Sequence, residues 1–494
     1  MKNSTPYTDF GMVDILIIAE GTYPYVRGGV ASWIHQLITG LEEYNFGIVF
    51  LGSQKDDYEE KKYELPKNVT YYYEEFLFDE IKRPPKEVID KVFNFEQIIN
   101  MHKSFTARNP SFDFLTLDFL KDVASLKNFL YSMPSWDYIQ KQYLDNVPDS
   151  PFINYIWSVK NMHIPIWKIV KIVEKIKDFK IVHSPSTGYA GFLASLLSNT
   201  YKRPFLLTEH GIYVKERKID MLNATWVKDT VYSFQKQLGE LDYSKQMWIN
   251  FFEGLGKIEY KSANKIIALY EKAREIQIKY GARGDKTMVI PNGIDIEKFK
   301  PLRKKEIPKI VTLIGRVVPI KDIKTFIKAI KIASTKIPDI EGWIVGPEDE
   351  DKEYAKECRM LVKSLHLENN VKFLGFQNIM NILPKTGLLT LTSISEGMPL
   401  TIIEGFAAGL PCVSTDVGSC KELIYGKDGI KKAGEITHIS DPTEIANAYI
   451  DLLSDKEKYY EYQKNAIERV ETHYTKEIFL NSYKNLYERY LWRV

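Results

Sequence analysis

Only three cysteines occur in 494 residues, Cys358, Cys412 and Cys420. Their odd number and the lack of any short paired spacing argue against a disulfide framework or a zinc site, and leave buried or incidental thiols as the expectation. No run of about 18 apolar residues occurs, and MKNSTPYTDFGMVDILIIAEG has no extended apolar stretch ahead of a cleavage site. A soluble, cytoplasmic chain is therefore expected. An excess of charge of one sign is missing as well, because 67 basic residues face 65 acidic ones. That balance removes the bulk attraction to nucleic acid or to an anionic membrane surface. The phosphate-binding fingerprints G-x-G-x-x-G and Walker A are absent too, since GLGKIE at 254–259 lacks the third glycine. Dinucleotide oxidoreductases and P-loop ATPases lose support accordingly.

What is present is ordinary globular composition, 44% hydrophobic and 27% charged, in a chain long enough for two large cores. Short β-branched runs recur with helical stretches between them. In the first half these are 13–20, 46–51, 180–183, 205–210, 265–270 and 287–291; in the second they are 309–315, 342–346, 371–375, 388–392 and 411–415. Near-continuous apolar strands of this kind belong in parallel sheets covered on both faces by helices. The expected division is an N-terminal domain over 1–295, a C-terminal domain over 296–472 and a last helix over 473–494 that packs back on the first domain or stays local. The linker PNGIDIEKFKPLRKKEIPK at 291–309 supplies the boundary and a candidate hinge. Residues of about 70–170 break the strand-helix rhythm and are dense in aromatics such as Trp136, Tyr138, Tyr143, Phe152, Tyr155 and Trp157. They read as a mainly helical insertion whose rings either pack a core or stack on sugars.

The segment SEGMPLTIIEGFAAGLP at 395–411 concentrates the chemistry. Pro399 is suited to a helix's first turn, which leaves the N–H groups of Leu400 and Thr401 without intrahelical partners and open to an anionic group. Gly397 and Met398 lie in the preceding turn, where glycine permits close backbone approach. Glu404, one turn into the helix, can accept both hydroxyls of a ribose, and Glu396, ahead of the helix, is placed for a sugar. Arg316 and Lys321 follow the run at 309–315, where they can neutralise a diphosphate; a basic surface loop is the alternative. In the first half, Gly28-Gly29 opens a helix after the strand at 13–20, as a phosphate-approaching loop or merely a turn. His210 sits at a strand's carboxyl end beside Glu209, and His183 at another. The triplet Asp349-Glu350-Asp351 reads as a solvated loop rather than a cation site. No metal and no cofactor are expected.

Together these segments resemble the retaining family-four GT-B glycosyltransferases. Glu396 and Glu404 match that family's two glutamates separated by seven residues, and the Arg/Lys pair and the first-domain glycine loop match as well. AEGTYPYVRGGVASW at 19–33, TEHGIYVKERKID at 208–220 and the aromatic insertion are similar, within that family, to cytosolic glycosyltransferases of exopolysaccharide synthesis. The resemblance implies an α/β fold of two Rossmann-like domains facing each other across a cleft. It also implies a UDP-sugar donor, with UDP-glucose favoured and UDP-N-acetylhexosamine a competitor, a polysaccharide acceptor, and inner-membrane polymerase components as partners. By the same resemblance Arg316 and Lys321 contact the diphosphate, Glu404 the ribose, and Glu396 with the following amides the sugar and distal phosphate. Gly28 and Gly29 approach the diphosphate, and His210 borders the sugar. Where the family has Glu-Lys-Gly, this chain has Ile320-Lys321-Asp322, which leaves open what the lysine's neighbours do. A UDP-sugar epimerase, or a non-catalytic UDP-sugar-binding subunit of a membrane synthase, is the competing expectation.

Overall fold

The apolar run VDILIIAE forms strand β1, Val13–Glu20, buried along nearly its whole length. A strand buried on both faces needs cover from helices on each side, which fixes the layering. The computed structural model describes residues 12–79, 95–104, 116–148, 151–214, 216, 243–426 and 429–491. Its contacts divide the chain into two compact units. Residues to Ala268, Arg274–Val289 and the chain from Lys484 onward make the first, and Leu269–Ala273 with Ile290–Tyr483 the second.

In the first unit β1 is joined by β2 (Phe46–Gly52), β3 (Val69–Phe76), β4 (Phe179–Ser184), β5 (Phe205–Glu209), β6 (Lys265–Ala268) and β7 (Thr287–Val289). The sheet has the order β3-β2-β1-β4-β5-β6-β7, and every pairing is parallel. In the second unit β8 (Ile310–Ile314), β9 (Glu341–Val345), β10 (Val371–Gly375), β11 (Leu388–Leu391), β12 (Cys412–Thr415) and β13 (Gly434–Thr437) form a parallel sheet of order β10-β9-β8-β11-β12-β13. Both units are Rossmann-like. In each, the chain builds outward from one central strand and then returns to that strand's other side, so β1/β4 and β8/β11 are topological switch points. Crevices open there at the strands' carboxyl ends, where open α/β sheets bind ligands.

Two strands escaped the sequence reading. VTYYYEEF is β3 at the edge of the first sheet, so the helical stretch expected from about residue 70 begins only after it. Its tyrosines and glutamates disguise a strand whose partner lies on one side only. GEIT is β13, the edge of the second sheet, too short and too polar to show a β-branched run. The aromatics of the helical stretch mostly pack on one another. Trp136 and Tyr143 both meet the Phe152 ring edge-on, at 5.5 and 5.0 Å, and Tyr155 is buried, while Trp157 is exposed. All three cysteines are buried and unpaired. The last helix, Lys476–Leu491, carries Tyr487, whose hydroxyl lies 2.7 Å from His183 Nδ1 inside the first unit. Among the described residues no helix is long and apolar enough to cross a membrane.

Candidate functional site

The loops that leave β8 and β11 are tied to each other before any ligand is considered. Thr392 Oγ1 donates to the carbonyls of Lys321 and Asp322, at 2.9 and 3.0 Å, and the Ile394 N–H donates to the Ile320 carbonyl at 2.8 Å. Neighbouring parallel strands therefore bring residues 75 apart in sequence side by side: Lys321 Nζ meets Glu396 Oε1 at 2.5 Å, and Ser393 Oγ donates to the same oxygen at 2.6 Å. Arg316 donates to both oxygens of Glu350, at 2.7 and 2.6 Å. Arg316, Lys321, Glu396, Gly397, Met398, Leu400, Thr401 and Glu404 thus all lie after β8 or β11, at one switch point.

The two ion pairs differ in strength. Arg316 and Glu350 are more than half and half exposed, and a pair of that kind contributes about 0–1 kcal/mol. An incoming phosphate can displace Glu350 at little cost. Lys321 and Glu396 are only 20% and 12% exposed, which screens them less and holds both groups in place. The acidic triplet is therefore engaged: Glu350 pairs with Arg316, and Asp351 caps helix Lys352–Ser364 by accepting from the Tyr354 N–H at 2.9 Å.

Helix Leu400–Ala407 starts one residue after Pro399 and has no side-chain cap. Its first amides face outward as orphan donors at the positive end of the helix dipole. Gly405 lets the helix lie against β11, because a Cβ there would fall 1.9 Å from Leu389 Cδ1. That contact sets the helix's rotation, and with it the direction of Glu404. The Glu404 carboxyl has no hydrogen-bond or ion-pair partner among the described residues, and burial pushes it up to about 7. A largely buried acceptor with nothing to accept from is costly in isolation and suited to ligand hydroxyls.

Two features of this site were not legible in the sequence. The loop after β12 buttresses the Glu396-Gly397 turn: Ser419 N–H donates to the Gly397 carbonyl at 3.0 Å, and Gly418 has φ +54. A Cβ on Gly418 would lie 2.3 Å from Gly397 O, so only glycine fits there. A glycine closing DVG after the run at 411–415 was the available signal. The other feature is Asp322, which stands where the family has glycine. It adopts the left-handed conformation, φ +46, and accepts from the Thr325 N–H as N-cap of helix Ile323–Ser334. Aspartate tolerates that region and caps well, so one residue supplies both the turn and the helix cap.

In the first unit Gly28 precedes helix Gly29–Gly40, and a Cβ at Gly28 or Gly29 meets nothing within 4 Å. Trp33 of that helix turns its edge to the His210 ring, with centroids 4.8 Å apart. Burial pushes His210 down to about 3, so it is neutral at ordinary pH, and its Nε2 has no partner among the described residues. Glu209, beside it in sequence, points elsewhere: it accepts from Tyr260, Gln277 and Thr187 in the interior. His183 lies between Tyr487 and Thr208 as a core residue. Residues 215 and 217–220 of the segment at 208–220 lie outside the described residues.

Paired Rossmann-like units, with cations and an uncapped helix at the second switch point, define a GT-B glycosyltransferase. Comparison with known proteins agrees: residues 295–469 match the family Glycosyl transferases group 1. Residues 13–285, more than half of the chain, match the Domain of unknown function (DUF3492), and the chain belongs to that family. It is 28% identical over 322 residues to the UDP-Gal:alpha-D-GlcNAc-diphosphoundecaprenol alpha-1,3-galactosyltransferase of Escherichia coli, covering 62% of this chain and 73% of that one. It is 24% identical over 382 residues to the N,N'-diacetylbacillosaminyl-diphospho-undecaprenol alpha-1,3-N-acetylgalactosaminyltransferase of Campylobacter jejuni, with 67% and 96% covered. Among solved structures, Anabaena Alr3699/HepE in complex with UDP and glucose shares the fold, with a TM-score of 0.59 at 17% identity over 96% of this chain and 99% of that one.

Proposed function

We propose that this glycosyltransferase moves a hexosyl unit from a UDP-sugar, UDP-glucose first and UDP-N-acetylhexosamine second, to a growing exopolysaccharide, with retention of configuration and without a metal. The observation that carries the donor assignment is the unpartnered, largely buried Glu404 carboxyl four residues into an uncapped helix. The ribose hydroxyls donate to Glu404, and the amides of Leu400 and Thr401 take the distal phosphate. Arg316 leaves Glu350 for the diphosphate, while Lys321 stays between phosphate and Glu396, which accepts from the sugar's hydroxyls. Gly28 and Gly29 are proposed as further diphosphate contacts and His210 as a neighbour of the sugar.

In the chemical step the acceptor hydroxyl attacks the anomeric carbon from the side that UDP leaves. The carbon–phosphate-oxygen bond breaks with its electron pair going to UDP, and a phosphate oxygen takes the hydroxyl's proton. Fixed positive charge on the departing phosphate supplies the rate. The stretches at 19–33 and 208–220 support PelF, the glycosyltransferase of Pel exopolysaccharide synthesis, as the functional counterpart. Inner-membrane polymerase components and a cytoplasmic location follow from that counterpart.

The test is UDP release and product analysis with UDP-glucose and a polysaccharide acceptor. Transfer gives free UDP and an α-linked product, whereas epimerisation leaves UDP attached to its sugar. Near-normal transfer after replacing both Arg316 and Lys321 with Ala would sink the assignment.

A further inference from the structure

The carboxyl end of the first sheet carries a half-open cavity of about 940 Å³ at the β1/β4 switch point. That volume stands at the upper end of the roughly 300–1,000 Å³ typical of small-ligand sites, more than one pyranose ring requires. Resting on the glycosyltransferase reading above, with the acceptor taken by the first unit, we infer that this cavity accepts a glycan end free of phosphate and carboxylate groups and that Glu20 and Asp57 set the preference.

The walls carry the chemistry of sugar recognition. Tyr58, Tyr189, Tyr213, Trp248 and Phe252 offer apolar ring surface to pyranose C–H faces, while Ser53, Gln54 and Asn161 offer hydroxyl and amide groups. Among the described lining residues the charged side chains are Glu20 and Asp57, and neither Lys, Arg nor His is present. Asp57 is held below the usual carboxylate range by the Ser53 hydroxyl and the Gln54 N–H, so it is anionic at neutral pH.

The second observation concerns the place where an anion would otherwise bind. Helix Tyr189–Tyr201 begins at this switch point, and its N-terminus is the natural phosphate site of such a crevice. The protein's own acids fill it. Glu20 Oε2 accepts from the Ala190 N–H at 3.0 Å, Glu259 Oε2 accepts from the Gly188 N–H at 3.1 Å, and Tyr213 donates to Glu20 Oε1 at 3.2 Å. An incoming phosphate or uronate would find those amides taken and face the Glu20 and Asp57 side chains of the lining. A neutral sugar can donate its hydroxyls to the same carboxylates. The second unit has the opposite character, with Arg316 and Lys321 at its switch point. Charge thus separates the subsite for the donor's diphosphate from the subsite for the acceptor.

Calorimetric titration of the full chain tests this with three probes: a neutral N-acetylhexosamine tetrasaccharide, the same tetrasaccharide ending in a uronic acid, and the same bearing a terminal phosphate. The neutral probe is expected to bind at least tenfold more tightly than either anionic one. In the Glu20→Gln, Asp57→Asn double variant, which keeps the shape and most hydrogen bonds, the gap should close to within about threefold through tighter anionic binding; a destabilised protein would lose all three ligands together. Equal or tighter anionic binding to the wild type overturns the inference, as does an unchanged gap in the variant or failure of all three probes to bind. UDP-glucose titrated into the same wild-type sample reports separately on the donor reading. Its binding alongside failed glycan selectivity leaves the proposed function standing.

Discussion

Lys321 and Glu396 form a 2.5 Å ion pair between the loops of neighbouring strands β8 and β11. Under the proposed function the pair aligns a cation for phosphate with a carboxylate for sugar hydroxyls, and Ser393 holds the same Glu396 oxygen. Replacing Lys321 with Ala removes the proposed phosphate contact and leaves Glu396 without its cation. Turnover with UDP-glucose should fall by roughly 10²–10³-fold, the range seen when one preorganised charge-stabilising donor is lost. Steady-state kinetics check this, and a loss confined to KM would show that Lys321 only binds.

Glu404 should make donor binding pH-dependent. Burial lifts its carboxyl to about 7, so the free protein holds it increasingly protonated as pH falls below that value. Ribose hydroxyls donate best to the ionised form, so affinity for UDP-glucose is expected to weaken as pH drops from 8 to about 6. UDP-glucose has no phosphate ionising in this window. In Glu404→Gln the profile should be flat and binding weak throughout, measured by calorimetry at several pH values.

Gly418→Ala tests the buttress beneath the site. The position requires φ +54, and the added Cβ would press on the Glu396 and Gly397 carbonyls. A cost of roughly 1–3 kcal/mol is expected, together with at least tenfold weaker UDP-glucose binding as the turn shifts. Urea unfolding and calorimetry measure the two effects separately, and unaltered binding would detach the loop from the site.

Glu209 makes a prediction about stability. Burial pushes it from 4.5 up to about 7, and the equally buried Glu259 is pushed well above the ordinary range by burial and by Glu209. A native carboxyl that holds its proton more firmly than the unfolded chain contributes stability that is complete below the unfolded value and lost as pH rises through the folded one. Wild-type stability should therefore decline between about pH 4.5 and 7. Glu209→Gln should weaken that decline and gain on the wild type above pH 7, as read by urea unfolding at pH 5 and pH 8. A parallel decline in both proteins would overturn the assignment to Glu209.

Much of this protein is written in local patterns. Apolar runs specified eleven of the strands because a strand buried on both faces leaves an unbroken hydrophobic stretch. The spacing from Glu396 through Pro399 to Glu404 declared a turn, a helix start and an acid one turn in, since helix geometry makes those positions neighbours. Edge strands β3 and β13 stayed hidden, because a strand covered on one side can carry tyrosine and glutamate without penalty.

Other features depended on contacts between distant parts of the chain. Glu350 became the partner of Arg316, Gly418 the support of Glu396, and Glu20 the cap of a helix 170 residues away, because parallel sheets gather the loops at their carboxyl ends regardless of sequence distance. His210 and Glu209 illustrate the limit at single-residue range. Adjacent in sequence, they point to opposite surroundings, the one against Trp33 and the other into a hydrogen-bonded interior. The sequence by itself determined which residues could bind phosphate and sugar. Only the tertiary structure decided which of them are partnered and which are buried, because partnership and desolvation are properties of the packed chain.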